Sequence, residues 1–245
     1  MKSLLVFFFT LNVMAQTCEE VGRSPAIIED ISNDVSEISS RLSKRNFDLF
    51  EAIEDCNPKK ISKALKRGAD VNATNDSYTG QTKRYTALTF AVKMGCFDAA
   101  KILLENNANV DDARSIDNNT ALMVAARQNK SAIAKLLLDY KADVNAGTAF
   151  ERSALNIASW NNSIEVAKLI MSRPDVNLNI NPTIARNALG SALFMGNSEI
   201  VDLILNHSPE IKPMNEETIR LASKWAKNEE IKVRLQKYLD IQDLL

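Results

Sequence analysis

The chain is poor both in residues that do chemistry and in residues that break helices. Its 245 positions include one histidine (His207), three cysteines, seven glycines and six prolines. A single histidine excludes most acid–base constellations, Ser-His-Asp and Cys-His pairs among them. Cys18, Cys56 and Cys96 fit no metal-binding spacing, and the histidine content leaves zinc few ligands. No glycine-rich phosphate loop occurs. A net charge of −1 supplies no bulk field toward nucleic acid or anionic lipid. The scarcity of breakers and of β-branched runs predicts mostly helix. Asp111-Asp112 and Glu229-Glu230 read as charge pairs on solvated faces. These absences predict a chain that is no enzyme and takes no cofactor or metal.

The N-terminus stands apart. In 1-MKSLLVFFFTLNVMAQTCEE-20, Lys2 precedes an apolar run of eleven residues, Leu4 to Met14. That is shorter than the roughly 20 residues needed to cross a bilayer. Val13 and Ala15 fit the small-residue rule for cleavage before Gln16, so residues 1–15 are expected to be a signal peptide. Lipidation of Cys18 fits poorly because Thr17 precedes it. An exported chain meets oxidising conditions, where two of its cysteines can be bridged and one is left over. The pairing of Cys56 with Cys96 stays open. A bond needs Cα atoms within about 7 Å, whereas packed helices stand about 8–10 Å apart.

The middle of the chain repeats itself. Thr86, Thr120, Ser153 and Asn187 are equivalent positions separated by 34, 33 and 34 residues. Ala91, Ala125, Ala158 and Ala192 each follow by five, and Gly95, Asn129, Asn162 and Gly196 by nine. A period near 33 marks a solenoid of small units. Within each unit the Thr or Ser is a good N-cap, the Gly or Asn ends the first helix, and a stripe such as Ile133, Leu136 and Leu137 defines a second helix. The second helix leads into a turn: Ala69-Asp70-Val71-Asn72, Ala142-Asp143-Val144-Asn145 or Pro174-Asp175-Val176-Asn177. Asp and Asn suit such turns because they bond nearby backbone. No unit can bury its stripe alone, so the units must stack.

On these residues the chain resembles ankyrin repeat proteins, in its exported bacterial form. The family opens its first helix with Thr-Pro-Leu-His and closes the unit with Gly-Ala-Asp-Val-Asn. Here the openings are Thr-Ala-Leu-Thr, Thr-Ala-Leu-Met, Ser-Ala-Leu-Asn and Asn-Ala-Leu-Gly, without the proline and histidine. The resemblance implies an all-α ankyrin-repeat solenoid over residues 46–245, with five repeats and a C-terminal capping repeat. The first, degenerate unit spans about 46–73 with Phe47 at the Thr position, and the capping repeat covers 218–239. Before them, Ile28, Ile31, Val35, Ile38 and Leu42 make one amphipathic helix. Residues 16–45 are thus expected to be an N-terminal helical cap, with a coiled-coil seam as the alternative.

The resemblance also implies a partner-binding concave face, built from positions one and three before the Thr position and seven and eight after it. In the second unit these are Tyr85, Lys83, Lys93 and Met94; in the third, Asn119, Asp117, Arg127 and Gln128. In the fourth they are Arg152, Phe150, Trp160 and Asn161; in the fifth, Arg186, Ile184, Phe194 and Met195. Tyr, Trp and Arg dominate interface hot spots. We therefore expect partner-binding residues Tyr85, Lys93, Met94, Arg127, Phe150, Arg152, Trp160, Arg186 and Phe194. The alternative for Trp160 and Phe194 is packing between adjacent repeats. The extra residues of a longer first hairpin lie in 74–85, an insertion of the kind that often maps to a binding face in repeat proteins, with a tolerated loop extension as the alternative.

Six Asn-X-Ser/Thr sites, at Asn72, Asn75, Asn118, Asn129, Asn161 and Asn206, make a glycosylating route hazardous and favour a bacterial exporter. The expected protein is a periplasmic module, monomeric by itself, that binds another protein and inhibits or regulates it. A periplasmic enzyme acting on the cell wall is the favoured partner; nucleic acid, and the membrane after signal cleavage, are not. The alternatives are a secreted effector that binds a host protein, and a structural homodimer through helix 24–45.

Overall fold

The computed structural model describes residues 42–75, 84–115, 118–147, 152–178, 187–206, 226 and 229–242. The expected signal peptide, most of helix 24–45, Phe150, Arg186 and the start of the sixth unit lie outside them. The all-α solenoid is what the described residues form. We number the helices α1 (42–54), α2 (Pro58–Lys66), α3 (Ala87–Met94), α4 (Phe97–Glu105), α5 (Ala121–Arg127) and α6 (Ser131–Asp139). Then come α7 (Ala154–Trp160), α8 (Ile164–Met171), α9 (Ala188–Met195), α10 (Ser198–Leu205) and α11 (Glu229–Gln242).

Each first helix starts where its cap residue can accept an orphan N–H. The Thr86 hydroxyl accepts from Thr89 N at 3.1 Å, Thr120 from Met123 N at 3.4 Å and Ser153 from Asn156 N at 3.3 Å. Asn187 Oδ1 accepts from Gly190 N at 2.7 Å. Each such cap stabilises by about 1 kcal/mol. The helices end at a left-handed residue: Gly95 and Gly196 at φ 76°, Asn129 at 51° and Asn162 at 54°. Gly and Asn tolerate that conformation, which explains their recurrence nine residues after the cap. In the first unit Cys56 takes this place at φ 47°. Phe47 offers no acceptor at the cap position, so α1 runs unbroken through residues 45 and 46. The expected division between helical cap and first repeat therefore falls inside one helix.

The first helices lie closer to one another than the second helices do. Their contact rows are buried alanines: Ala87 and Ala91, Ala121 and Ala125, Ala154 and Ala158, Ala188 and Ala192. The second helices pack through larger side chains, Leu103, Leu137, Ile170 and Ile204 among them. Small residues in one layer and large ones in the other are the arrangement that curves a solenoid toward its first helices, which we call the inner layer. At the C-terminal end α11 buries Ile231 and Leu235, and Arg234 bridges Asp202 of α10 and Glu230.

The turns do more than the local bonding expected of them. Asp70, Asn109 and Asp143 each accept the N–H two residues on, at 2.9, 3.2 and 2.8 Å. The next ladder position reaches across to the following unit. Asn72 accepts from Asn109 N at 2.8 Å, Asp111 from Asp143 N at 3.0 Å and Asn145 from Asn177 N at 2.8 Å. Asn46 starts the series by accepting from Asp70 N at 2.8 Å. The expectation that Asp111-Asp112 is a solvated pair is corrected here. The Asp112 side chain is only 7% exposed, and Arg114 Nη2 contacts it at 2.6 Å while donating to the Asn72 carbonyl at 2.7 Å.

The open cysteine pairing is resolved: Cys56 and Cys96 are bonded, with Cα atoms 5.5 Å apart. Helix-axis spacing was the wrong ruler. Both residues sit in inter-helix turns, where the chains approach more closely than helix axes do.

Two outcomes follow from the ladder and the staple. Partial burial and the neighbouring Asp143 carboxylate push Asp111 above the usual carboxylate range, partly offset by the Asp143 N–H. The folded state thus holds that proton more tightly than the unfolded chain, and ionised Asp111 costs stability at neutral pH. Asp111→Asn keeps the acceptor. It should raise the urea midpoint at pH 7, with the gain vanishing as pH falls through the carboxylate range; equal gain at all pH values contradicts this account. Reducing the disulfide should lower unfolding free energy by about 2–4 kcal/mol, read as a fall in urea midpoint on adding dithiothreitol; an unchanged midpoint would mean the staple contributes nothing.

Candidate functional site

The fold consumes the cap position and those one, two and five residues after it. Seven residues after it, a side chain leaves the inner helix away from the core. Read along the stack, this row is Glu54, Lys93, Arg127, Trp160 and Phe194.

Two groups of expected residues come together on it. Trp160 is 46% exposed and Phe194 51%, yet their rings stack at 5.5 Å between centroids and 14° between planes. They contact each other across the α7–α9 junction, as the packing alternative expects, and remain open to solvent. Met195, 45% exposed, extends the apolar area. At the other end, Lys93 Nζ lies 4.3 Å from the Tyr85 ring centroid, a cation–π distance. Tyr85 is 6.2 Å from Phe90, which is 5.6 Å from Phe50. Met94, Arg127 and Arg152 are exposed around and between these groups.

Sequence reasoning missed Phe50 and Phe90 as the support beneath Tyr85. Their signal was faint, since Phe90 stands where Val124, Ile157 and Ser191 face the core. Asn119, expected on the binding face, is a correction. It is buried at 5% exposure, and its carbonyl accepts from Ser115 Oγ at 2.7 Å. The loop before α5 folds inward there. The base of the insertion is closed by an antiparallel bridge between Thr74 and Thr86. Tyr85 N donates to Asn75 Oδ1 at 2.7 Å and Asn75 N to Tyr85 O at 3.0 Å, which fixes Tyr85 at the entrance to the face. The tip of the insertion, residues 76–83, lies outside the described residues.

Charge is segregated between the layers. The sequences ALTFAVKM, ALMVAAR, ALNIASW and ALGSALFM of α3, α5, α7 and α9 contain two cations and no acid. Among the described residues, acids of these units lie on the second helices, at Asp98, Glu105, Asp139, Glu165, Glu199 and Asp202, and in the turns, at Asp111, Asp112, Asp143 and Asp175. There Lys168 pairs with Glu165 at 3.3 Å and Glu199 at 3.0 Å. Such exposed pairs are screened by solvent and contribute little. Among the described residues no group of three or more His, Cys, Asp or Glu is placed to hold a metal.

The family model of ankyrin repeats (three copies) matches residues 49–148 and 111–186, more than half of the chain. The chain belongs to the ankyrin repeat family. No curated protein matches it. Ankyrin repeats are protein–protein interaction modules and generally not enzymes, so the inner face is read as a binding surface rather than a reaction site. At the family's histidine position this ankyrin chain carries Asn156, whose Nδ2 donates to Ser191 Oγ of the next repeat at 3.1 Å. A different polar pair thus links these two repeats.

Because Trp160 and Phe194 are about half exposed, replacing both with alanine should cost less than about 2 kcal/mol of stability. A chemical-denaturation curve measures this, and a larger loss would make the rings part of the core.

Proposed function

We propose that this chain is a periplasmic, non-enzymatic binding module whose inner face clasps a partner enzyme and inhibits or regulates it. An enzyme acting on the cell wall is the concrete version. The observation that carries the reading is the exposed Trp160–Phe194 stack beside Met195, an apolar surface at positions the solenoid does not need for itself. Aromatic residues and arginine are the side chains that anchor interfaces.

Export has separate support. The N-terminal segment reads as a cleavable signal, and the Cys56–Cys96 bond suits an oxidising compartment. The Asn-X-Ser/Thr sites favour a bacterial route. The Asn72 side chain is spent on the ladder, Asn75 is buried at 3% exposure, and Asn161 Nδ2 donates to Ile157 O at 2.8 Å. A glycan on the Asn75 amide would not fit its burial, and one at Asn72 or Asn161 would crowd the tight turns.

The test uses the chain from Gln16 onward as bait in native periplasmic extract, with the Trp160→Ala/Phe194→Ala variant as control and mass spectrometry as readout. One dominant enzyme retained by the wild type, lost in the control and less active when bound is the expected result. The same proteins in both lanes, or none, would overturn the reading in favour of a secreted effector or self-association.

A further inference from the structure

Resting on that reading, we infer that the partner offers the inner face a bipartite segment: one or more carboxylates, followed within a few residues by a large apolar side chain. The argument is charge complementarity along one row. Lys93 and Arg127 present the only charges of the four inner helices α3, α5, α7 and α9, and both are positive. Exposed Arg152, just before the α7 cap, adds a third cation near the middle of the face. Beyond it the row turns apolar at Trp160, Phe194 and Met195. At the opposite end, exposed Glu54 of α1 closes the cationic stretch and repels an acid carried further. Among the described residues of this row, a carboxylate is therefore favoured in one zone, bounded by repulsion on one side and the apolar Trp160, Phe194 and Met195 on the other.

Spacing follows from the stack. Neighbouring helices are about 8–10 Å apart, so Arg127 lies about one step from Trp160 and two from Phe194. An extended chain advances about 3.3 Å per residue. The acid and the apolar anchor should then stand about three to six residues apart. Trp160 and Phe194 already hold each other at 5.5 Å, so the apolar end is preorganised and loses little side-chain freedom on binding. Arginine beside aromatic rings also suits single-stranded nucleic acid. Among the described residues the row from Lys93 to Phe194 carries cations on one part only, where single-stranded binding rests on several phosphate contacts along the strand, and the peptide is favoured.

The experiment pans random peptides, about 16 residues long so that an extended one spans the face, against the immobilised chain from Gln16. Enriched peptides are then measured by fluorescence anisotropy, beside a labelled oligo-dT strand. The expected result is enrichment of Asp or Glu placed about three to six residues from Phe, Trp, Leu or Met. Lys93→Glu with Arg127→Glu should weaken binding at least about tenfold. Trp160→Ala with Phe194→Ala should do the same, while Lys168→Glu on the outer layer leaves binding unchanged. Added salt should weaken wild-type binding and have less effect on the Lys93/Arg127 variant. Should charge reversal unfold the chain, Lys93→Gln with Arg127→Gln serves in its place. Enrichment of acid-free peptides, acidic peptides indifferent to the Lys93/Arg127 changes, or no enrichment overturns this inference while leaving the clasp to its own pull-down. Tighter binding of oligo-dT than of any peptide overturns it in favour of nucleic acid.

Discussion

None of these helix pairs can bury its own apolar stripe, and everything else in the structure answers that constraint. The helices run seven to nine residues in the central units, too short to persist alone in water. Ala91, Ala125, Ala158 and Ala192 are buried because a neighbour lies against each of them. Stability is therefore nearly one-dimensional, a sum of units and the interfaces between them. The two ends of such a stack each lack a neighbour. Here α11 covers the last described unit through Ile231, Leu235 and the Arg234 bridge to Asp202, while the Cys56–Cys96 bond ties the first unit to the second.

Apolar burial stacks units but does not set their register, because a row of alanines slides easily. The turns supply register through directional bonds. Asn72, Asp111 and Asn145 each accept an N–H from the following unit, and Arg114 adds a bond from Asp112 back to the Asn72 carbonyl. The one acidic member, Asp111, keeps the geometry of an asparagine but faces Asp143, so electrostatics and hydrogen bonding oppose each other at that rung. No comparable opposition arises at Asn72 or Asn145, whose amides carry no charge.

Much of this was legible in the sequence, because it depends on local chemistry repeated at a fixed period. The caps, the left-handed Gly and Asn positions and the alanine rows can each be read from residue type alone. What could not be read depends on how the chain folds back on itself, over two residues or over about forty. Asp112 looked like a surface acid until Arg114 and the Asn72 carbonyl were brought beside it. Asn119 looked like a face residue because the loop before α5 was taken to follow its neighbours, and the fold turns it inward. Phe47 could be aligned with a cap but could not act as one, so α1 continues past the boundary the repeat register implied. The Trp160–Phe194 stack was half legible. Register put both residues on the face, but only the structure shows that they hold each other.

That mutual hold bears on what the face can do. A lone exposed tryptophan samples several rotamers, and binding has to freeze them. Two rings stacked across adjacent units are restrained beforehand by helices that the whole solenoid keeps in place, so rigidity reaches the surface from the core. The cationic end is arranged by the same logic. Lys93 lies over Tyr85, and Tyr85 is fixed by Asn75 at the base of the insertion and by Phe90 beneath it. Both ends of the row are thus held from below, while Arg127 projects from the last turn of α5 between them. A surface of this kind selects by matching a fixed order of charge and apolar area rather than by adapting its shape. On the proposed reading, selectivity then follows from where Glu54 repels as much as from where Trp160 and Phe194 attract.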